Sequence, residues 1–380
     1  MQPIDVNSMP ALPAPFWFIE LFKVLGFALH AIPMNLWYAG ILVALICGRR
    51  CGDNGRRLVR RFMAQMPIVV AFGINLGIVP LLFLQLAYGA VFYPATILMA
   101  WYWLSIVALV IPAYYGVYVY ALALRGNDGE LAPWQKAAGW VSVVAFMLVG
   151  FFFANGLSLM TNTSGWIAAL MKHNVDGAAT GWAVNHGDPT LLSRWLLMFG
   201  LALGTTAAWI ALDSGCFAAK ESDAYRRWAA RLARSVAIAG AVLATAAGGW
   251  YVFRAWRPEV FQQMFAWTDR PLLACLTLLT GSSPWWAAAL LVLWGGLALT
   301  PRRAAAVVAA QTAALAVNAV SRQIVQNIEL GINDFFLVGL QESKTDWGPL
   351  LLFLGTFVVG VAAIGWMLAQ LRKAAPEEVS

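Results

Sequence analysis

Apolar runs of about 20 residues, bounded by charges or by Gly, Pro and Asn, recur along the whole chain, and about 20 residues is the length a helix needs to cross a bilayer's hydrocarbon core. About nine such runs fall near residues 16–47, 66–92, 96–124, 137–160, 190–213, 234–253, 271–299, 304–323 and 348–371. The pattern predicts an all-α fold, a polytopic membrane helical bundle. The seventh run, "PLLACLTLLTGSSPWWAAALLVLW", is interrupted by Gly281, Ser282, Ser283 and Pro284. We read the interruption as a kink in one long helix; the alternative is a re-entrant piece beside a span. No repeat of about 20–50 residues and no soluble-domain insert is visible, so residues 1–380 read as one integral membrane domain, with a first four-helix unit over 16–160 and five further spans over 190–371.

Charge sets the orientation. The basic clusters "GRRCGDNGRRLVRR" and "KESDAYRRWAARLAR", Arg125 with Lys136, Arg302 with Arg303, and Arg372 with Lys373 all fall on one side of the nine-span scheme. The other side carries only Lys172, Arg254, Arg257, Arg270, Arg322 and Lys344. The positive-inside rule then puts the N-terminus outside and the C-terminus in the cytoplasm, which requires an odd number of spans. In a bacterial cell this is a multi-pass protein of the inner (cytoplasmic) membrane.

Composition agrees: 61% of residues are hydrophobic, 11% are charged, and the mean hydropathy is +0.71, whereas soluble domains carry roughly 25% charged residues. The net charge of +7 raises nucleic acid as a partner, but the arginines flank membrane runs and form no stripe interleaved with aromatics, so none is expected. Residues 1–15 have no basic segment and no cleavage site of a signal peptide. Cys47, Cys51, Cys216 and Cys275 form no CxxC pair and read as small packing residues.

Two outer loops are long, 161–190 and 326–348, and each has aromatics at helical spacing, which predicts short helices lying at the interface. The second run carries Gly73 and Gly77 at the spacing of close helix contacts, with Asn75 and Gln85 as polar groups at membrane depth. Asp213, Glu20 and Lys23 sit near span ends and read as ordinary interfacial charges. Nucleotide loops, GxSxG, HExxH and Gly-rich dinucleotide fingerprints are all missing, which leaves redox or passive roles.

Only three histidines exist, His30, His173 and His186, all in the outer half of the scheme. An imidazole at membrane depth is a functional candidate by default, because it must be buried in protein or bound to something. Burial keeps it neutral and able to ligate haem iron; the competing reading is a histidine hydrogen-bonded to a neighbouring helix. Pro33, within one turn, bends the helix near it. His173 and His186 lie beside Asp176 and Asp188, but their spacing matches no metal pattern and a solvated loop is expected. Arg322, at the outer end of the eighth run, suits a haem propionate or, alternatively, lipid phosphates.

The segment "FGINLGIVPLLFLQLAYGAVFYPATILMAWYWLSIVALVIPAYYGVYVYAL" resembles the second and third helices of subunit I of cytochrome bd quinol oxidases. "GIN", the following Gly, an aromatic–Gly pair and a glycine late in the third helix carry the likeness, which extends thinly over most of the chain. The resemblance implies that His30 ligates a high-spin haem on the outer side. It also implies departures. That family's low-spin haem takes a histidine three residues after an arginine in the fifth helix, where "SRWLLMF" has Arg194 and then Leu197. Its second ligand is a methionine two residues after an arginine in the eighth helix, where Arg322 is followed by Gln323 and Ile324. The family's proton-path carboxylates align with Trp103 and Ile111, and its quinol-binding loop is reduced to "RAWRPEVFQQMFAWTDR". A glutamate before the family's last helix ligates another haem, and Glu342 in "LQESKTDWGP" is the nearest candidate.

The resemblance therefore implies a divergent membrane electron-transfer subunit with one outer-side haem b on His30, with Arg322 and Glu342 as further cofactor-binding candidates. Its partners, besides the lipid bilayer, are a c-type cytochrome on the outer face and either a second copy in a homodimer or a second membrane subunit. Two other classes stay open: a haem-free scaffold or assembly subunit of a respiratory complex, and a small-solute transporter or channel using Asn75, Gln85, Asn155 and the broken seventh run.

Overall fold

The computed structural model describes residues 11–126, 131–295, 297–332 and 343–374. The chain is a membrane bundle of α-helices: α1 (Phe16–Asn35), α2 (Ile41–Arg50), α3 (Gly52–Leu98), α4 (Ala100–Gly126), α5 (Pro133–Thr161), α6 (Trp166–Lys172), α7 (Thr190–Leu212), α8 (Asp223–Trp250), α9 (Pro258–Met264), α10 (Pro271–Ser282), α11 (Pro284–Leu293), α12 (Pro301–Ile332) and α13 (Trp347–Ala374). One small hairpin, β1 (Asn174–Val175) with β2 (Ala178–Ala179), interrupts them. Among the described residues seven helical segments are long and apolar enough to span a membrane, the bent pair α10–α11 makes an eighth, and Trp347–Gly360 is a shorter apolar stretch of α13.

Two compact units divide the chain: residues 22–336, and residues 1–21 with 337–380. Within the smaller unit, Lys344 donates its backbone N–H to Leu12 (2.9 Å) and Asp346 to Pro13 (3.0 Å), and Phe18 meets Phe353 edge to face. The larger unit contains His30, Arg322 and the helices that surround them.

Several boundaries differ from the sequence reading, for local reasons. The basic stretch after the first run is no loop: the helix breaks only at Cys51 and restarts at Gly52, whose φ of +58° costs glycine nothing. The charged residues then ride on a helical extension of α3. That helix kinks at Tyr88 (φ −122°, ψ 26°), and α12 runs on to Ile332 rather than ending near 323. The seventh run is two helices meeting at 48°, and the bend is pinned because Asn318 donates to Ser283 Oγ at the break (2.8 Å).

Three π-helical turns, Leu36–Gly40, Asp213–Phe217 and Tyr251–Ala255, continue α1, α7 and α8. Each takes up an extra residue as a widened turn within the helix. Helices α7 and α8 cross closely because glycine and alanine face each other: a Cβ on Gly200 would come within 2.6 Å of the Ala244 backbone.

The two basic connections predicted to share the cytoplasmic side do meet. Arg61 makes a paired hydrogen bond to both oxygens of Asp213 (2.7 and 2.8 Å), and Arg57 reaches Glu221 (3.0 Å). Asp213 is only 3% exposed, so it is a buried anchor rather than the ordinary interfacial charge its position suggested. Arg226 joins a third connection, donating to the Leu299 carbonyl.

Candidate functional site

His30 lies on α1 six residues before the π-helical turn, and its Nδ1 is 2.8 Å from the carbonyl oxygen of Gly73 on α3. A carbonyl only accepts, so Nδ1 carries the proton and Nε2 keeps its lone pair. No group among the described residues donates to that Nε2. Gly77, one turn along α3, backs the same ring: a Cβ there would lie 2.7 Å from Cε1 and 2.9 Å from Nδ1. Gly73 makes the corresponding room for Trp37, whose ring meets His30 edge to face at 6.0 Å. The "GINLG" glycines thus seat two rings of α1 and its π-helical turn. A neutral imidazole held by one nitrogen with the other open is the arrangement in which histidine ligates metals.

Arg322 places its guanidinium 4.0 Å over the ring of Phe27, and Phe27 is three residues before His30 on the same helix. Among the described residues it has no carboxylate partner. Two of the three predicted site residues therefore belong to one neighbourhood, formed by α1 and the C-terminal half of α12. The third, Glu342, lies outside the described residues.

A second polar centre joins the C-terminal ends of α5 and α12 to the N-terminal end of α7. Arg194 donates to Glu329 Oε1 (2.5 Å), to Thr161 Oγ1 (3.2 Å) and to the Tyr251 hydroxyl (3.2 Å). Both charges are buried, Arg194 9% and Glu329 8% exposed. Beside them Asp188 accepts from Ser158 Oγ (2.6 Å), from Thr190 N (2.8 Å) and from Thr190 Oγ1 (2.8 Å). A cavity of about 70 Å³ opens between them, lined by Thr161, Asn162, Asp188, Thr190, Arg257 and Glu329. Asp188 is therefore not the solvated loop residue expected from its place beside His186. Glu329 escaped the sequence reading because α12 runs past the predicted span end, and an acid beyond a span end reads as solvated. The usable signal was Arg194, a buried cation at the start of a span that needs an anion from another helix.

At the positions where the low-spin haem ligands of the resemblance would stand, Leu197 faces Gly248. Ile324 packs in an apolar cluster with Val260, Met264 and Val325, so helix α9 packs on the C-terminal part of α12. Of the two proton-path positions, Trp103 stacks edge to face with Phe92 and Phe153, and Ile111 is exposed.

Two of the polar residues offered for a solute path, Asn155 and Asn75, sit in different surroundings. Asn155 is fully buried and ties the outer loop, donating to the Ala183 carbonyl (3.1 Å) and accepting from Asn185 N (2.9 Å). Asn75 is exposed on α3. In that loop Trp166 is buried while Ile167 and Met171 of α6 are exposed, so a short helix forms there; in the 326–348 stretch α12 continues to Ile332, and residues 333–342 lie outside the described residues. No cluster of three His, Cys, Asp or Glu side chains occurs among the described residues.

Set against solved structures, the chain matches a chain of the bd oxidase from Geobacillus thermodenitrificans over 95% of its own length and 99% of the other's, with a TM-score of 0.62 and 13% sequence identity. The bundle has the bd oxidase fold. No protein-family model and no curated protein matches the sequence. At that identity the likeness concerns the path of the backbone, and the bd oxidase fold here carries Leu197 and Ile324 where the resemblance places iron ligands.

Proposed function

We propose that the chain is a divergent member of the cytochrome bd subunit I superfamily that holds one b-type haem through His30 and serves as a membrane electron-transfer subunit. The observation that supports the reading is the tautomer of His30: the Gly73 carbonyl accepts the Nδ1–H hydrogen bond and leaves the Nε2 lone pair free to act as a ligand. Arg322, stacked on Phe27 and lacking a carboxylate among the described residues, supplies a fork for a haem propionate. When bound, the haem would accept and donate single electrons. Aliphatic side chains at Leu197 and Ile324 cannot bind iron, and the quinol loop is reduced to α9 and its flanks, so the electron partner we assign is a c-type cytochrome on the outer face rather than quinol.

The test is a reduced-minus-oxidised visible spectrum with pyridine haemochrome quantification on purified protein, wild type against His30→Leu. One haem per chain in the wild type, lost in the variant, is the expected outcome. A colourless wild type overturns the reading and leaves the haem-free scaffold.

A further inference from the structure

The side of α12 that carries Arg322 continues toward the end of the helix. Residues 322, 326 and 329 are spaced by four and three, which puts Arg322, Gln326 and Glu329 on one face of an α-helix. Ile324 and Ile328 lie on the other side, in the cluster with Val260 and Met264 of α9. The two ends of the polar face differ. Glu329 is closed by Arg194, whereas Arg322 stacks on Phe27 and makes no hydrogen bond to any described residue.

Gln326 lies between them. It is only 4% exposed, and its Nε2 is buried with no acceptor among the described residues. A side-chain amide nitrogen carries two donors, and burying them unmet is less favourable than burying an apolar side chain of the same shape. The fold thus keeps a donor that costs it stability, at a point too enclosed for a lipid headgroup to reach.

We infer that Gln326 is a second carboxylate anchor for the proposed haem, its amide donating to one propionate while Arg322 pairs with the other. The inference rests on the haem reading given above and adds to it a binding residue. A haem carries its two propionates side by side on one edge, and side chains four apart on a helix are neighbours about 5–6 Å apart. Adjacent groups on one helix therefore suit adjacent carboxylates. Three side chains then share one requirement: His30 Nε2 is a lone pair without a donor, and Arg322 and Gln326 are donors without acceptors. An iron centre edged with two carboxylates satisfies all three.

The experiment uses the full-length chain in lipid nanodiscs, first haem-free from haem-deficient cells, then loaded with haem or with haem dimethyl ester, which lacks the free carboxylates. Haem-free Gln326→Leu should melt at a higher temperature than haem-free wild type, because the substitution removes an unmet donor. Loaded with haem, it should surrender the cofactor to excess apomyoglobin about 10- to 100-fold faster than wild type, with the absorption spectrum of the bound fraction unchanged. Loaded with the dimethyl ester, the two proteins should lose it at the same rate. Equal rates of haem loss overturn the proposal, as does a difference that persists with the ester, or a haem-free variant that melts below wild type. Each of these outcomes leaves haem on His30 intact. A wild type that takes up no haem is instead the failure of the haem reading, and this inference falls with it.

Discussion

Arg194 and Glu329, separated by 135 residues in the chain, meet at 2.5 Å where α5, α7 and α12 come together at their ends, and are held there by Thr161 and Tyr251. Two charges withdrawn from water in this way stabilise little as a pair, yet removing one leaves the other stranded. Glu329→Leu should therefore lower stability by about 3–5 kcal/mol, read by thermal unfolding in detergent. The double variant Arg194→Leu with Glu329→Leu should recover much of that loss. A double variant no more stable than the single one would show that the pair contributes net stability.

Gly77 offers a test of the His30 seat that leaves the histidine in place. Gly77→Ala puts a methyl group 2.7 Å from Cε1 of the ring, which forces the imidazole off the Gly73 carbonyl. Haem content per chain should fall well below wild type, whereas Gly249→Ala, which meets nothing within 4 Å, should leave it unchanged. Equal haem in both would detach the cofactor from this ring.

Arg322→Leu removes a positive charge near the proposed haem. A nearby cation favours the reduced, less positive iron, so the midpoint potential should fall in this variant at unchanged haem content, as measured by redox titration. Arg322→Lys should lie between, because it keeps the charge and loses the planar fork. A potential unmoved by Arg322→Leu assigns the guanidinium to lipid phosphate instead.

Asn155 connects the membrane core to the outer loop through Ala183 and Asn185. Replacing it with leucine strands two buried backbone groups at about 1–3 kcal/mol each. Amide exchange of Asn185 should accelerate by roughly 5- to 100-fold, with the cytoplasmic connections unchanged. Uniform acceleration along the chain would mean that the whole bundle had loosened.

Membrane spans were legible because hydropathy alone encodes them; Phe16–Arg50, Pro133–Thr161 and Thr190–Phe217 overlap the runs read from sequence at 16–47, 137–160 and 190–213. His30 stood out for the same reason, as an imidazole in an apolar run. What hydropathy does not encode is which distant side chains meet. Asp213 reads as a surface charge until Arg61, 152 residues away in the chain, is seen to cover it. Glu329 reads as a loop acid until α12 is seen to continue beyond the apolar run. The helical continuation through Gly52 was hidden because arginines and an Asn-Gly pair look like a turn, and helix propensity cannot tell a charged helical extension from a loop.

The π-helical turn Leu36–Gly40 sits between His30 in the N-terminal half of the first span and Cys47 in the C-terminal half. It takes up one extra residue as a widened turn, so the two halves face their neighbours nearly as they would on a continuous α-helix one residue shorter. Losing one residue within the turn would narrow it to ordinary α-helix and leave His30 aimed at Gly73, whereas gaining or losing a residue elsewhere between His30 and Cys47 would swing the histidine about 100° away. The turn is therefore the one place where this span can change its length by a residue and keep its histidine aimed.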